Sequence, residues 1–339
     1  MLFNELGKPI YDFFAAIDPK SDIVLSIDLD NTLVNRSKGD NYIFEDTLEL
    51  LELMQKEPQL YIVPNTGRDV IGFNSLISKT IDFPDAILGA GSLIKVDNKY
   101  IFDSNSEIDG SVIKLLLGAV DNYSFPFVDF THKDGRLLVY NDVNGLEFKN
   151  LFFSQNPRAW FGQELPPAVS LGSLNKKDDE VRLVYRIEFP VLPSHSRLHN
   201  ELANKLANSI LCLAEVLAVP SEHLRDYTVK RKAFFNDEYK GKLCFARFEK
   251  HTEISSKGHG IKRWLEEKKL CDPTVIHVGD QDYGVVDDTL VKKELPQAKL
   301  IMVGDRCQKD NLLVDLYLIG DTDTKVNEFI RALYAFIKA

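Results

Sequence analysis

The chain alternates short apolar runs with polar stops. Residues 23–27 (Ile-Val-Leu-Ser-Ile) run into Asp28-Leu29-Asp30-Asn31-Thr32, and residues 60–63 into Pro64-Asn65-Thr66-Gly67-Arg68. Residues 274–278 lead into Gly279-Asp280, residues 299–303 into Gly304-Asp305, and residues 316–319 into Gly320-Asp321. Runs this short and apolar predict strands buried on both faces of a parallel sheet. Leu48, Leu50, Leu51 and Leu53 predict a helix over residues 47–56. Ile261, Trp264 and Leu265 mark the apolar side of a second over 257–269, and a third is expected over 325–338. Repeated strand, polar turn and helix predict an α/β fold with a doubly wound parallel sheet, whose ligands bind beyond the carboxyl ends of the strands. The polar stops fall at those ends.

Residues 87–250 read differently. Residues 86–94 and 99–102 predict a hairpin around Asp97-Asn98, residues 137–141 and 181–189 further strands, and residues 198–217 a helix. The charged stretch over 170–180 predicts an exposed loop. The expectation is an α+β domain over residues 87–250, inserted into a core made of residues 1–86 and 251–339.

A length of 339 residues accommodates two domains as readily as one. The net charge of -10 argues against nucleic acid, which needs a dense cationic surface. A small anionic substrate is compatible, because a few local cations and a metal outweigh a diffuse field at contact distance. Cys212, Cys244, Cys271 and Cys307 lie far apart, without C-x-x-C spacing, and read as reduced, mostly core thiols. The first residues lack the apolar run of a signal peptide, and no stretch approaches the roughly 20 apolar residues of a membrane span. The expected compartment is the cytoplasm, with no membrane partner.

The polar stops carry candidate chemistry. Two aspartates one residue apart at a strand end, Asp28 and Asp30, suit a nucleophile that attacks phosphorus and a neighbouring acid and base. Alone, the pair also fits a strand end followed by an Asx-type turn. Thr66-Gly67-Arg68 offers a hydroxyl and turn amides to a phosphoryl oxygen, or is merely a turn with a surface cation. Lys257 stands near a helix N-terminus, where the dipole disfavours a cation unless an anion compensates. Asp280, with Asp28 and Asp30, would provide the carboxylates that a hard cation such as Mg²⁺ prefers. Four strand-terminal motifs, each supplying a different part, point to one site.

The order D-x-D-x-T, T-G-R, K-G and G-D, carried by Asp28 to Thr32, Thr66 to Arg68, Lys257-Gly258 and Gly279-Asp280, resembles the haloacid dehalogenase superfamily. The long insert resembles the C2-type cap of the branch that holds sucrose-phosphate, trehalose-phosphate and Cof-like sugar phosphatases. The resemblance implies a Rossmann-like core and a magnesium-dependent phosphatase acting on a small phosphorylated metabolite, with a sugar phosphate first in line. It implies Asp28 as nucleophile and metal ligand, and Asp30 as general acid and base with its backbone carbonyl on Mg²⁺. Thr66, Gly67, Arg68 and Lys257 would bind the phosphoryl group, and Asp280 would anchor the metal. Where relatives carry an Asn-Asp pair, this chain has Tyr283-Gly284, so Asp282 or Asp287 is expected to complete the metal set. Leu88-Gly89-Ala90-Gly91-Ser92 replaces a common Asn-Gly, which suggests a substrate outside the commonest set.

Two other readings fit the motifs. A phosphosugar mutase would need cationic groups for a second phosphate, and Arg182 and Arg186 are the only closely spaced arginines in the insert that suit it. A non-catalytic sensor of phosphometabolites would keep the cleft without turnover. His251, His259 and His277 show no metal spacing, although His259 is near enough to Lys257 to face the cleft. Oligomeric state is not legible.

Overall fold

The structure is a computed structural model, and it describes residues 8–18, 20–34, 43–77, 81–110, 113, 117, 127–140, 168–174, 183–191, 227–234, 243–250, 256–280, 287–304 and 311–339. In chain order the elements are α1 (Lys8–Ala15), β1 (Ile23–Ile27), α2 (Glu45–Met54), β2 (Leu60–Pro64), α3 (Val70–Ile77), β3 (Ala86–Leu88), β4 (Leu93–Val96), β5 (Lys99–Phe102), β6 (Phe127–His132), β7 (Gly135–Tyr140), β8 (Ala168–Ser170), α4 (Leu171–Leu174), β9 (Val184–Val191), β10 (Tyr227–Phe234), β11 (Leu243–Lys250), α5 (Lys257–Lys268), β12 (Thr274–Gly279), α6 (Asp287–Glu294), β13 (Lys299–Val303), β14 (Leu316–Leu318) and α7 (Thr322–Lys338).

The apolar runs become a five-stranded sheet in the order β14-β13-β12-β1-β2, with its neighbours parallel. The strand order reverses beside β1, which pairs with β2 on one side and β12 on the other. That reversal is the topological switch point where open α/β sheets take their ligands. Side chains alternate along each strand, so Val24, Val63 and Val275 share a face and pack with Ile261 and Trp264 of α5 and Val291 of α6. Elsewhere in the core Phe14 of α1 stacks on Phe329 of α7 with ring centroids 5.8 Å apart.

Helix ends follow local chemistry. Glu45 and Asp46 in the first turn of α2 suit its positive end, so the helix starts ahead of residue 47. Asp321 accepts a 3.2 Å hydrogen bond from the Thr324 amide and starts α7 ahead of residue 325. After α5, Lys269 turns into the left-handed region at φ 56°. Cys271 follows it and is exposed, not a core thiol, because the chain has left the helix for the surface. Cys212 and Cys307 lie outside the described residues, as do His251 and the helix expected over 198–217.

The chain divides into two compact units: Met1–Arg68, Leu76–Ile101 and Ser255–Ala339 form one, Asp69–Ser75 and Phe102–Ile254 the other. The hairpin turn at Asp97-Asn98 is present, both residues having positive φ. Its first arm is broken by a 3₁₀ turn at Gly89–Gly91 into β3 and β4, and with β5 they make a three-stranded sheet. That sheet falls within the first unit, not with the insert. The reason is tertiary: Ile87, Ile94 and Val96 pack with Ile261 and Trp264. Gly91, at φ +95°, comes so close to α5 that an added Cβ would stand 2.2 Å from the Ser256 carbonyl oxygen.

The second unit holds a six-stranded sheet in the order β10-β11-β9-β6-β7-β8, antiparallel except for the β7–β8 pair. Residues 171–174 of the expected loop form the short α4, and 175–182 lie outside the described residues. Among the described residues no helix is long and apolar enough to cross a membrane.

Candidate active site

Asp28 leaves the end of β1 still paired, its amide donating to the Val278 carbonyl at 2.9 Å. The chain then folds back, with the Leu33 amide on the Asp28 carbonyl at 3.2 Å and the Val34 amide on that of Leu29 at 2.7 Å. This tight return places Asn31 at φ 62°, a conformation asparagine tolerates better than most residues. Thr32 is buried. Asp30 is partly exposed and is held by Arg68, whose Nε lies 3.2 and 3.1 Å from its two oxygens and whose Nη2 lies 2.6 Å from Oδ1. The expected phosphate-binding arginine thus has a described partner in Asp30, fixed by a fork that matches the carboxylate. Thr66 is buried beyond β2, and its hydroxyl accepts from the Arg68 amide at 3.1 Å across the Gly67 turn.

Lys257 opens α5 behind Ser256, whose hydroxyl accepts from the His259 amide at 3.1 Å. Its ammonium is buried between two carboxylates, 2.9 Å from Asp28 Oδ1 and 2.6 Å from Asp288 Oδ1. Those anions offset the dipole conflict seen in the sequence. Gly258 lets α5 approach α6, since a Cβ there would meet the Val291 Cα at 2.9 Å.

Asp280 follows β12, and Asp28, Asp280 and Asp288 each offer an oxygen within 4.8 Å of the others. Among the described residues the third carboxylate of this group is Asp288, which sequence reasoning passed over. Asp282 lies outside the described residues, Asp287 only begins α6 without a described side chain, and the Asp30 carboxylate is not in the cluster. Asp288 stands eight positions after Asp280, one beyond Asp287, and its signal is the acidic start of a helix following a strand-end aspartate. Gly279 accommodates it, because a Cβ there would lie 2.4 Å from the Asp288 Cγ. His259 is half-buried in the first turn of α5 and is not part of the acidic group.

One ammonium serves three carboxylates, and the electrostatics record the shortage. Burial pushes Asp28 up to about 8, a rise that Lys257 opposes and that the charges of Asp288 and Asp280 reinforce. Burial, and then the charge of Asp288, push Asp280 up to about 6. Burial also works against ionised Asp288, but the Lys257 ammonium and the His277 hydrogen bond outweigh it and hold the group below the usual carboxylate range. Asp280 Oδ1 is buried with no hydrogen-bond partner among the described residues. Three hard oxygen donors short of positive charge, one of them an orphan, fit a divalent cation completed by water and phosphate oxygens.

A parallel α/β sheet with carboxylates and a buried lysine at its switch point has the setting of an enzyme site. The chain belongs to the haloacid dehalogenase-like hydrolases, whose family model matches residues 25–283. It is thus a hydrolase, as the motif order implies. No curated protein matches it in sequence. Among solved structures it is similar to a sugar phosphatase of haloacid dehalogenase subclass IIB, at 15% identity and a TM-score of 0.56 over 92% of this chain and 99% of the other. It is also similar to a haloacid dehalogenase-like hydrolase from B. subtilis (16% identity, TM-score 0.54, covering 91% and 98%). A third likeness is to one from Bacteroides thetaiotaomicron (14%, 0.55, covering 91% and 98%). At such identities the likeness is one of fold.

Proposed function

We propose that the protein is a cytoplasmic, Mg²⁺-dependent phosphatase that hydrolyses a small phosphorylated metabolite, a sugar phosphate first in line, through an aspartyl-phosphate on Asp28. The observation that carries the reading is the pairing of Asp28 with buried Lys257 beside Asp280 and Asp288. The sugar-phosphatase relative of the same fold supports the substrate class. The inserted second unit is read as a C2-type cap that selects the leaving group.

Asp28 attacks phosphorus, the bond from phosphorus to the ester oxygen breaks, and that oxygen takes the proton of Asp30. Asp30 then takes a proton from water, whose oxygen attacks the same phosphorus. The bond to Asp28 breaks and inorganic phosphate leaves. Lys257 offsets repulsion between Asp28 and the incoming dianion, Thr66 orients a phosphoryl oxygen, and Arg68 keeps the Asp30 carboxylate in place. Asp28, Asp280 and Asp288 would hold Mg²⁺, which supplies neutralising charge to the phosphoryl oxygens.

A panel of phosphorylated metabolites, assayed for phosphate release with and without Mg²⁺, tests the reading against Asp28→Asn. Mg²⁺-dependent release that the variant loses supports it, equal rates from both proteins would overturn the role of Asp28, and no release from either would leave a sensor. Turnover needing a bisphosphate activator and releasing no phosphate would indicate a mutase. Of the two arginines in the insert that suit that reading, Arg186 is buried with its guanidinium 5.8 Å from the Tyr185 ring centre, and Arg182 lies outside the described residues.

A further inference from the structure

One layer beneath the carboxylates, the parallel sheet carries polar residues where the pattern calls for apolar ones. Ser26 and His277 are paired in register on β1 and β12, and Asn65 follows β2. All three are fully buried. By the two-residue alternation they share the face of Val24, Val275 and Val63, and Asp28 lies one step further along that face. A valine-like layer would fill this space at no polar cost, whereas each buried polar group left without a partner costs about 1–3 kcal/mol. The layer is instead linked by hydrogen bonds.

The Asn65 amide nitrogen lies 3.1 Å from Ser26 Oγ and 3.2 Å from the Lys257 carbonyl oxygen. That carbonyl accepts only, so it fixes which end of the amide faces it, and Ser26 Oγ accepts from the same nitrogen. Ser26 Oγ lies 2.9 Å from His277 Nδ1, and His277 Nε2 lies 3.0 Å from Asp288 Oδ1. An ionised Asp288 can only accept, so Nε2 carries the proton, Nδ1 accepts, and the serine hydroxyl donates to it. Every donor in the row from Asn65 to Asp288 therefore points the same way, and Asp288 Oδ1 receives two, from His277 and Lys257.

We propose that His277 is a positioning residue, oriented by Asn65 and Ser26, that holds Asp288 in the rotamer from which it ligates the divalent cation. This rests on the cation-dependent reading above, and Asp288 is the member that most needs such support. It comes from a helix, whereas Asp28 and Asp280 are fixed by paired strand ends. Outer hydrogen bonds of this kind typically govern ten- to a hundredfold of metal affinity.

The test is Mg²⁺ binding to the substrate-free full chain by titration calorimetry, with thermal stability in EDTA measured alongside. His277→Gln keeps a donor near the position of Nε2, whereas His277→Asn keeps one near Nδ1 and withdraws the bond to Asp288. The asparagine variant is expected to bind Mg²⁺ about tenfold or more weakly, and the glutamine variant to retain most of the affinity. Ser26→Ala, which changes little volume, is expected to weaken binding by removing the donor to Nδ1, with the imidazole proton staying on Nε2 toward Asp288, read from ¹⁵N chemical shifts. It carries the comparison if His277→Asn does not fold. Unchanged Mg²⁺ affinity in His277→Asn, or equal losses in the asparagine and glutamine variants, would overturn the proposal while leaving the phosphatase reading intact. Failure of the unaltered protein to bind Mg²⁺ would overturn that reading as well.

Discussion

The two units each bury a cluster of charges, and the clusters are built on opposite terms. In the second unit Arg136, nearly buried on β7, is bonded through Nε and Nη2 to Asp129 on β6, while Nε also lies 3.5 Å from Asp69. Asp69 spends its other oxygen on the start of α3, accepting from the Gly72 amide at 2.7 Å. One planar fork with five donors satisfies two carboxylates, and the cluster is complete as it stands. In the first unit one ammonium faces three carboxylates, Asp28 and Asp280 are pushed up in pKa, and one oxygen of Asp280 has no described partner. Buried charge alone does not mark a working site. Buried charge that the protein leaves uncompensated does.

Substitutions separate the two clusters by what each one changes. Asp28→Asn is expected to lower turnover by at least about ten-thousandfold with the fold retained, because it removes the nucleophile while Asp288 still pairs with Lys257. Steady-state phosphate release with circular dichroism checks it. Arg136→Met should do the reverse: it leaves Asp129 buried without its partner and costs about 3–5 kcal/mol of stability, while Mg²⁺ affinity is unchanged. Chemical denaturation and calorimetry read the two effects. Mg²⁺ at a hundred times its dissociation constant should stabilise the protein by about 2.7 kcal/mol, and Asp280→Asn should remove most of that gain in a thermal-shift assay. Gly258→Ala, which forces a Cβ against α6, is expected to cost about 1–3 kcal/mol, measured by urea unfolding.

The same contrast explains what could be read in the sequence. The parallel strands were legible because each is an apolar run closed by a polar stop, and three of those stops bring Asp28, Thr66 and Asp280 to one sheet end, where Lys257 at the start of α5 joins them. Asp288 was not legible by fixed spacing, because the distance along the chain says little once a loop intervenes between strand and helix. His277 and Ser26 looked like incidental polar residues in separate runs. Their meaning depends on strand register, which pairs positions 251 residues apart. The attachment of residues 86–101 to the first unit rests on close approaches at Gly91 and Gly260, and glycine composition does not reveal them. Nor does composition show that residues 69–75 belong with the second unit, where Ile71 lies under Gly135, 3.0 Å from the Cβ an alanine would add there.

The central claim is that Asp28 carries the phosphoryl group during turnover, and rapid acid quench with peptide mass spectrometry tests it most directly. The account predicts a transient phosphoryl adduct on the peptide containing Asp28, formed only with Mg²⁺ and absent from Asp28→Asn. Turnover with no adduct at any quench time, or an adduct on another residue, would contradict it.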